Sequence, residues 1–156
     1  MNETIKNILE RRSIRNFKDE QLTEEQTETI INCALSSPTA KNMQEWYFAV
    51  IQDEEVRKLL PPNCFNAPTV ILIFGEQDNK WTNYDIGIAT ENIVIAAKSL
   101  GLDTCIVGTI KNKMTEEILS HISVPENYSV EMAISIGYAN EEPREKEFQK
   151  NKCEII

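Results

Sequence analysis

Arg11-Arg12-Ser13-Ile14-Arg15 and, further along, Pro38-Thr39-Ala40-Lys41-Asn42-Met43-Gln44-Glu45-Trp46 are the two stretches from which the rest of this sequence is read. The first sets three guanidinium groups and a hydroxyl within five residues of a chain with sixteen basic against twenty-five acidic residues, a formal charge of -9. Charge that only keeps a surface wet is not concentrated in this way, and the run reads as a small anionic site. The second stretch offers the side-chain amides of Asn42 and Gln44, which both donate and accept hydrogen bonds, as the edge of a heterocycle requires. A grip for phosphate and a grip for a ring edge together point to a nucleotide-like cofactor.

Both stretches follow predicted helices. Thr4 to Arg11 reads as a short helix with Ile5, Ile8 and Leu9 on one face. Arg11 and Arg12 then fall at its C-terminal end, where favourable placement against the helix dipole is by itself worth ~0.3 to 1 kcal/mol each. Thr23-Glu24-Glu25-Gln26 is a capping box, and the helix after it carries Ile30, Ile31, Ala34 and Leu35 on one stripe. It stops near Ser36-Ser37-Pro38, because proline disfavours helical geometry in the residue before it. The polar turn therefore begins at a helix exit, and its amides also fit an ordinary loop.

Further along, Trp46 to Ile51 suits a strand, with Trp46 as a core anchor, and Asp53-Glu54-Glu55 opens a short helix ended by Pro61-Pro62. Pro68 to Gly75 reads as a strand buried on both faces. Asp85 to Leu100 is apolar around most of its circumference, with Asp85 as a helix cap and Gly101 as a C-cap. A helix of that kind must be buried on several sides, and in so small a domain the pattern predicts that a partner subunit covers part of it. Cys105 to Val107 is a short strand ended by Gly108, Thr115-Glu116-Glu117 starts another helix, and Ser129 to Tyr138 alternates as a strand. The tail from Asn140 onward is charged and lacks a core pattern until Ile155 and Ile156.

A chain of 156 residues with 41% hydrophobic content supports one well-buried domain. The acidic balance argues against a broad electrostatic footprint for DNA or RNA. Cys33, Cys64, Cys105 and Cys153 form no CxxC pair, and the N-terminus shows no secretory segment, so free thiols in a reducing cytosol are expected. The longest apolar runs fall far below the ~20 residues of a membrane span. His121, the one histidine, has no second ligand in sequence to build a zinc site or a Cys-His pair, so no metal and no side-chain nucleophile are predicted.

Taken in order, these segments resemble the nitroreductase family of flavin mononucleotide (FMN) enzymes. The resemblance is carried by Arg11-Arg12-Ser13-Ile14-Arg15-Asn16-Phe17 and the Ser36 to Trp46 turn. It continues through Asp85-Ile86-Gly87 entering a helix with Glu91-Asn92, then Gly101-Leu102, Gly108 and Gly137-Tyr138. It implies an α+β fold, a mixed central sheet of about four strands with helices on both faces, as a single FMN-binding domain over residues 1–156 with a C-terminal arm at 139–156. It also implies a homodimer with two flavins at its interface. By the same resemblance Arg11 and Ser13 hold the flavin phosphate, with Arg12 beside them. Arg15 reaches the polar edge of the isoalloxazine. Pro38, Thr39, Asn42 and Gln44 contact flavin at the dimer interface, in part across to the other subunit, and Gly108 lies against the ring.

The implied activity is ping-pong hydride transfer from NADH or NADPH through flavin N5 to an electron-poor acceptor such as a nitroaromatic or quinone, in a cytoplasmic protein. The cofactor does the chemistry, so no catalytic side chain is assigned. Three departures stand out. Lys41 occupies a position where glycine is common in the family and Glu45 one where proline is common. The usual C-terminal phosphate arginine has no clear counterpart, which leaves Lys150 or Lys152 as substitutes without its bidentate geometry. The chain is also short for the family. These departures motivate an alternative reading as a flavin-binding module for storage, sensing or regulation, and a cofactor-free interaction protein is the third reading.

Overall fold

The run Val70-Ile71-Leu72-Ile73-Phe74 is apolar throughout because both of its faces are covered. In the computed structural model, which describes residues 1–156 with the exception of the Lys150 side chain, it forms most of strand β2. The four strands are β1 (Trp46–Ile51), β2 (Thr69–Glu76), β3 (Asp103–Val107) and β4 (Tyr128–Gly137), in the spatial order β1-β2-β4-β3. Five helices accompany them: α1 (Glu3–Glu10), α2 (Glu24–Leu35), α3 (Glu54–Leu59), α4 (Thr82–Ser99) and α5 (Glu116–Leu119). Ile71, Ile73, Ile134 and Ile136 pack on one face against Ile30 and Ala34 of α2 and Ile86, Ile93, Val94 and Ala97 of α4. The alternate residues Val70, Leu72, Phe74 and Ala133 make a second core with Ile51, Cys64, Val107 and Ile110. Each fully buried isoleucine or leucine here contributes roughly 1.5 to 3 kcal/mol.

The expected mixed sheet is corrected: all three strand pairings are antiparallel. The crossover through α4 does return β3 in the same direction as β2, but it skips one position. Strand β4 fills that gap and runs against both neighbours. The one parallel feature is an isolated bridge between Ser13 and Thr104 on the outer edge of β3.

Local signals set the element ends. The capping box is formed, with Thr23 Oγ1 accepting the Gln26 N–H at 3.1 Å and Gln26 Oε1 accepting the Thr23 N–H at 2.9 Å. Asp53 caps α3, and Gly101 follows α4 at φ 76°, a left-handed conformation that glycine adopts without a Cβ clash. Helix α4 begins three residues before Asp85, with Trp81 at its N-cap, so Asp85 is a first-turn residue and not the expected cap. It is held on β2 by close contact. A Cβ on Gly75 would lie 2.3 Å from Thr82 Cγ2 and 2.7 Å from Ile86 Cδ1.

Helices α1 and α4 present several apolar residues to the outside. In α1 the buried residue is Asn7, whose Nδ2 donates to Ser99 Oγ at 2.9 Å, while Ile5, Ile8 and Leu9 are exposed. In α4, Ile86, Ala89, Ile93, Val94 and Ala97 are buried, but Tyr84 and Ile88 are not. A single chain therefore leaves part of α4 uncovered.

Candidate functional site

The Arg11 to Arg15 segment leaves α1 extended and runs beside β3. Ile14, 1% exposed, anchors it, and its N–H donates to Thr104 O at 2.9 Å. With Ile14 turned into the core, its neighbours Ser13 and Arg15 point the other way, as alternation along an extended chain requires. Ser13 bridges Thr104, the residue before Cys105. Burial pushes that thiol's pKa up, the charges of Arg15 and Arg11 and a hydrogen bond with Ser13 pull it down, and Glu141 pushes it up. Arg11, Ser13 and Arg15 thus share one neighbourhood around a buried sulfur. Among the described residues no carboxylate pairs with either arginine side chain, since the ion pairs involve Lys58, Lys98 and Lys111. Two unneutralised guanidinium groups beside a hydroxyl suit a small anion.

Arg12 is not brought into this cluster. Its Nη1 donates to Leu9 O at 2.8 Å and Arg11 O at 2.7 Å, closing the C-terminal end of α1. The Lys150 side chain lies outside the described residues, and Lys152 is exposed in the tail. The tail does reach the cluster through Glu141, whose Oε1 accepts the Arg15 N–H at 2.5 Å. Beside it Asn140 N donates to Asn16 O at 2.9 Å, and Ala139 bridges Phe17.

The polar turn keeps a strained backbone at three positions without glycine: Lys41, Asn42 and Gln44 have φ of 54°, 56° and 54°. Such conformations persist only where the surroundings over-determine them. Here Thr39 Oγ1 accepts the Gln44 N–H at 3.1 Å, and Asn42 N donates to Thr39 O at 3.0 Å. The Asp85 carboxylate, on a residue only 6% exposed, accepts the Ala40 N–H at 3.0 Å. Glu45 accepts from Asn79 Nδ2 at 2.7 Å. At the start of the turn, Asn92 Nδ2 donates to Ser37 Oγ at 2.8 Å, next to Pro38. Asn42 and Gln44 stay exposed, and Trp46, 8% exposed, anchors the turn in the core.

Cluster and turn do not meet within one chain. Thr104 pairs with Ile136, which pairs with Thr69, next to the Val70–Ile51 pair; Trp46 stands at the far end of β1. Three strand spacings across and five residues along put them about 22 Å apart, at opposite corners of the sheet. Gly108 lies four residues beyond Thr104, about 13 Å along β3. A Cβ there would meet only Met132 Sδ, at 3.9 Å, so the strand end is open to a flat group. The cluster and Gly108 thus offer an anion grip and an open platform at a ligand's length from one another. A separate cleft of roughly 570 Å³, lined by Phe74, Lys111, Met114 and Tyr128 among others, includes none of these residues.

Sequence reasoning missed Cys105 as the centre of the cluster, Glu141 as its acidic neighbour, and Asp85 and Asn79 as supports of the turn. Asp85 carried a signal, being a lone carboxylate at the start of an apolar helix. Glu141 carried none, because its neighbour is 126 residues away.

Comparison with known proteins gives a consistent result. The model of the Nitroreductase family matches residues 8–66 and 58–138. A curated relative from Archaeoglobus fulgidus, named "Putative NADH dehydrogenase/NAD(P)H nitroreductase", is 32% identical over 91% of this chain and 88% of its own length. Among solved structures, an FMN-dependent nitroreductase from Clostridium difficile superposes with a TM-score of 0.78 at 30% identity, covering 96% of this chain and 94% of that one. A nitroreductase with bound FMN from Bacteroides fragilis reaches a TM-score of 0.93 over the whole of both chains at 22% identity, a likeness of fold.

Proposed function

The chain belongs to the nitroreductase family, and on that premise we propose that it is an NAD(P)H-dependent flavin oxidoreductase working as a homodimer with FMN at each of two sites. The observation that carries this reading is that Ser13 bridges Thr104 on the outer edge of β3 with Arg11 and Arg15 on either side of it, and that no carboxylate pairs with either guanidinium group among the described residues. FMN bound there would supply two-electron chemistry between NADH or NADPH and an electron-poor acceptor such as a nitroaromatic or quinone, in a ping-pong cycle.

The protein supplies position and charge. Arg11 and Ser13 hold the phosphate, and the guanidinium of Arg15 favours negative charge developing on the ring's polar edge. Gly108 leaves room for the ring against the end of β3. Pro38, Thr39, Asn42 and Gln44 contact flavin at the dimer interface, in part across to the other subunit's cofactor, an arrangement that suits a cluster and a turn at opposite corners of one sheet. Tyr84 and Ile88 of α4, with Ile5, Ile8 and Leu9 of α1, provide apolar surface for that contact. The described helices include none long and apolar enough to cross a membrane, and all four thiols are free, which suits a reducing cytoplasm.

An absorbance spectrum of the purified protein, before and after anaerobic addition of NADH or NADPH, tests this directly. A yellow protein bleached by either nucleotide supports the reading. A yellow protein that neither reduces would be a flavin-binding module, and a colourless one that does not take up added FMN would end the cofactor assignment.

A further inference from the structure

Where the tail leaves β4 it runs back along the segment that carries the arginines, and the bonds between the two follow one register. Lys18 N donates to Tyr138 O at 2.9 Å, Ala139 bridges Phe17 in the antiparallel sense, and Asn140 N donates to Asn16 O at 2.9 Å. Arg15 and Glu141 come next in that register, and there a side chain takes over from the backbone: Glu141 Oε1 accepts the Arg15 N–H at 2.5 Å. Gly137, at the end of β4, aims the tail this way. A Cβ on it would lie 2.8 Å from Pro68 Cδ and 3.1 Å from Phe17 Cδ1, so the chain passes in contact with Phe17, which itself packs on the second core.

A carboxylate beside an arginine ordinarily takes the guanidinium, whose fork it matches with two parallel hydrogen bonds. Glu141 does not. Its carboxylate is committed to the main-chain N–H of Arg15, and among the described residues the Arg15 guanidinium has no carboxylate partner. In a chain of net charge -9, free carboxylates compete with any anionic ligand for each arginine, and one held on the backbone does not. The same bond fixes the main chain at Arg15, one residue from the point where the Ile14 N–H is fixed to Thr104 O at 2.9 Å.

We propose that Glu141 is the positioning residue for Arg15: it ties down the Arg15 main chain and leaves the guanidinium unpaired, free to meet the polar edge of the flavin ring. This rests on the FMN reading, in which Arg15 favours negative charge on the reduced ring. Glu141 touches neither cofactor nor acceptor and acts through Arg15 alone. Its own charge, on an exposed side chain, is screened by solvent and contributes little.

The test measures the flavin midpoint potential of the FMN-loaded protein. Glu141→Ala should lower it in the same direction as Arg15→Ala, by less, and should add nothing in the Arg15→Ala background. Glu141→Gln, whose amide oxygen still accepts the N–H, should not lower it, and neither should Glu142→Ala, which removes the same charge one residue along. A second readout needs no flavin. In the FMN-free protein, Glu141→Ala should speed hydrogen exchange at the Arg15 amide by roughly three- to tenfold, a modest share of what a hydrogen bond to a charged acceptor is worth once exposure is allowed for. Glu141→Gln should keep most of the protection. An unchanged potential in Glu141→Ala, an equal drop in the Arg15→Ala background, or a drop in Glu141→Gln or Glu142→Ala would overturn the proposal. So would Arg15 exchange that does not respond to Glu141→Ala. If the unaltered chain retains no flavin, the FMN reading itself has failed, and the exchange measurement still decides whether Glu141 holds Arg15.

Discussion

Replacing Lys41 by glycine should stabilise this protein, although it removes a charged side chain from the turn that carries the candidate site. Lys41 sits at φ 54°, ψ 20°. In that left-handed region the β-carbon crowds the following carbonyl, at a cost of roughly 1 to 2 kcal/mol for an L residue. Glycine relieves the crowding but loses more backbone freedom on folding, about 0.5 to 1 kcal/mol. The Lys41 ammonium has no ion-pair partner among the described residues, so little is lost with it. The net expectation is a gain of about 0.5 to 1 kcal/mol, or roughly 1 to 4 °C in Tm for a chain of this length.

Urea unfolding of the FMN-free protein would measure this as a higher midpoint at unchanged m-value. Keeping FMN out matters, because ligand that binds only the folded state would add its own contribution. Two further variants isolate the cause. Lys41→Ala keeps the β-carbon and the strain, and should leave stability nearly unchanged. Asn42→Gly, at φ 56°, should gain less than Lys41→Gly because asparagine tolerates this region. A lower midpoint for Lys41→Gly, or an equal gain from Lys41→Ala, would refute the strain argument.

Other outcomes follow from the same geometry. Gly75→Ala should destabilise by about 1 to 3 kcal/mol in thermal unfolding, since its β-carbon overlaps Thr82 and Ile86; adding Thr82→Ser, which removes the clashing methyl, should recover part of the loss. Arg15→Ala should lower the flavin midpoint potential, while Arg11→Ala should mainly weaken FMN retention; equal, small effects of both on both quantities would count against the assigned roles. Burial pushes the Cys64 thiol from 9.0 up to about 11. The folded state then holds that proton more tightly than the unfolded chain, so the Cys64 contribution should be constant below pH 9 and fall between pH 9 and 11 by about 2 to 3 kcal/mol; Cys64→Ala should flatten that limb in alkaline unfolding curves. Burial pushes the Glu131 pKa up, but Lys111, Ser129 and Gln77 pull it down further, to a net value below the ordinary 4.5. Its contribution should be present above pH 4.5 and lost as pH falls through the folded value, an acid dependence that Glu131→Gln should weaken.

What could be read from the sequence was what neighbours along the chain decide. Thr23 with Gln26, Asp53 before α3 and Gly101 after α4 each solve a problem within four residues, and each stands as expected. What could not be read depends on distant partners. The antiparallel sheet follows from β4 entering the gap left by the α4 crossover, and nothing in the spacing of β2 and β3 announces that gap. Arg12 has the same side chain as Arg11 and Arg15, yet the carbonyls of Leu9 and Arg11 draw it back onto α1. Charge density in the sequence located the cluster but not which of its members face outward.

The two opening motifs also look like neighbours in sequence and are not neighbours in space, because α2 carries the chain from the outer edge of β3 to the start of β1 at the opposite corner of the sheet. If one FMN touches both motifs, they must come from two copies, and a twofold arrangement then gives each of two sites one cluster and one turn. Cofactor affinity and subunit association are in that case one linked equilibrium. FMN should raise the apparent dimer affinity, and dilution below the dimer dissociation constant should release FMN. Sedimentation velocity at serial dilutions, followed at both protein and flavin wavelengths, measures the two together. A monomer that sediments with its flavin still bound would show that one chain completes the site, against the shared-site arrangement.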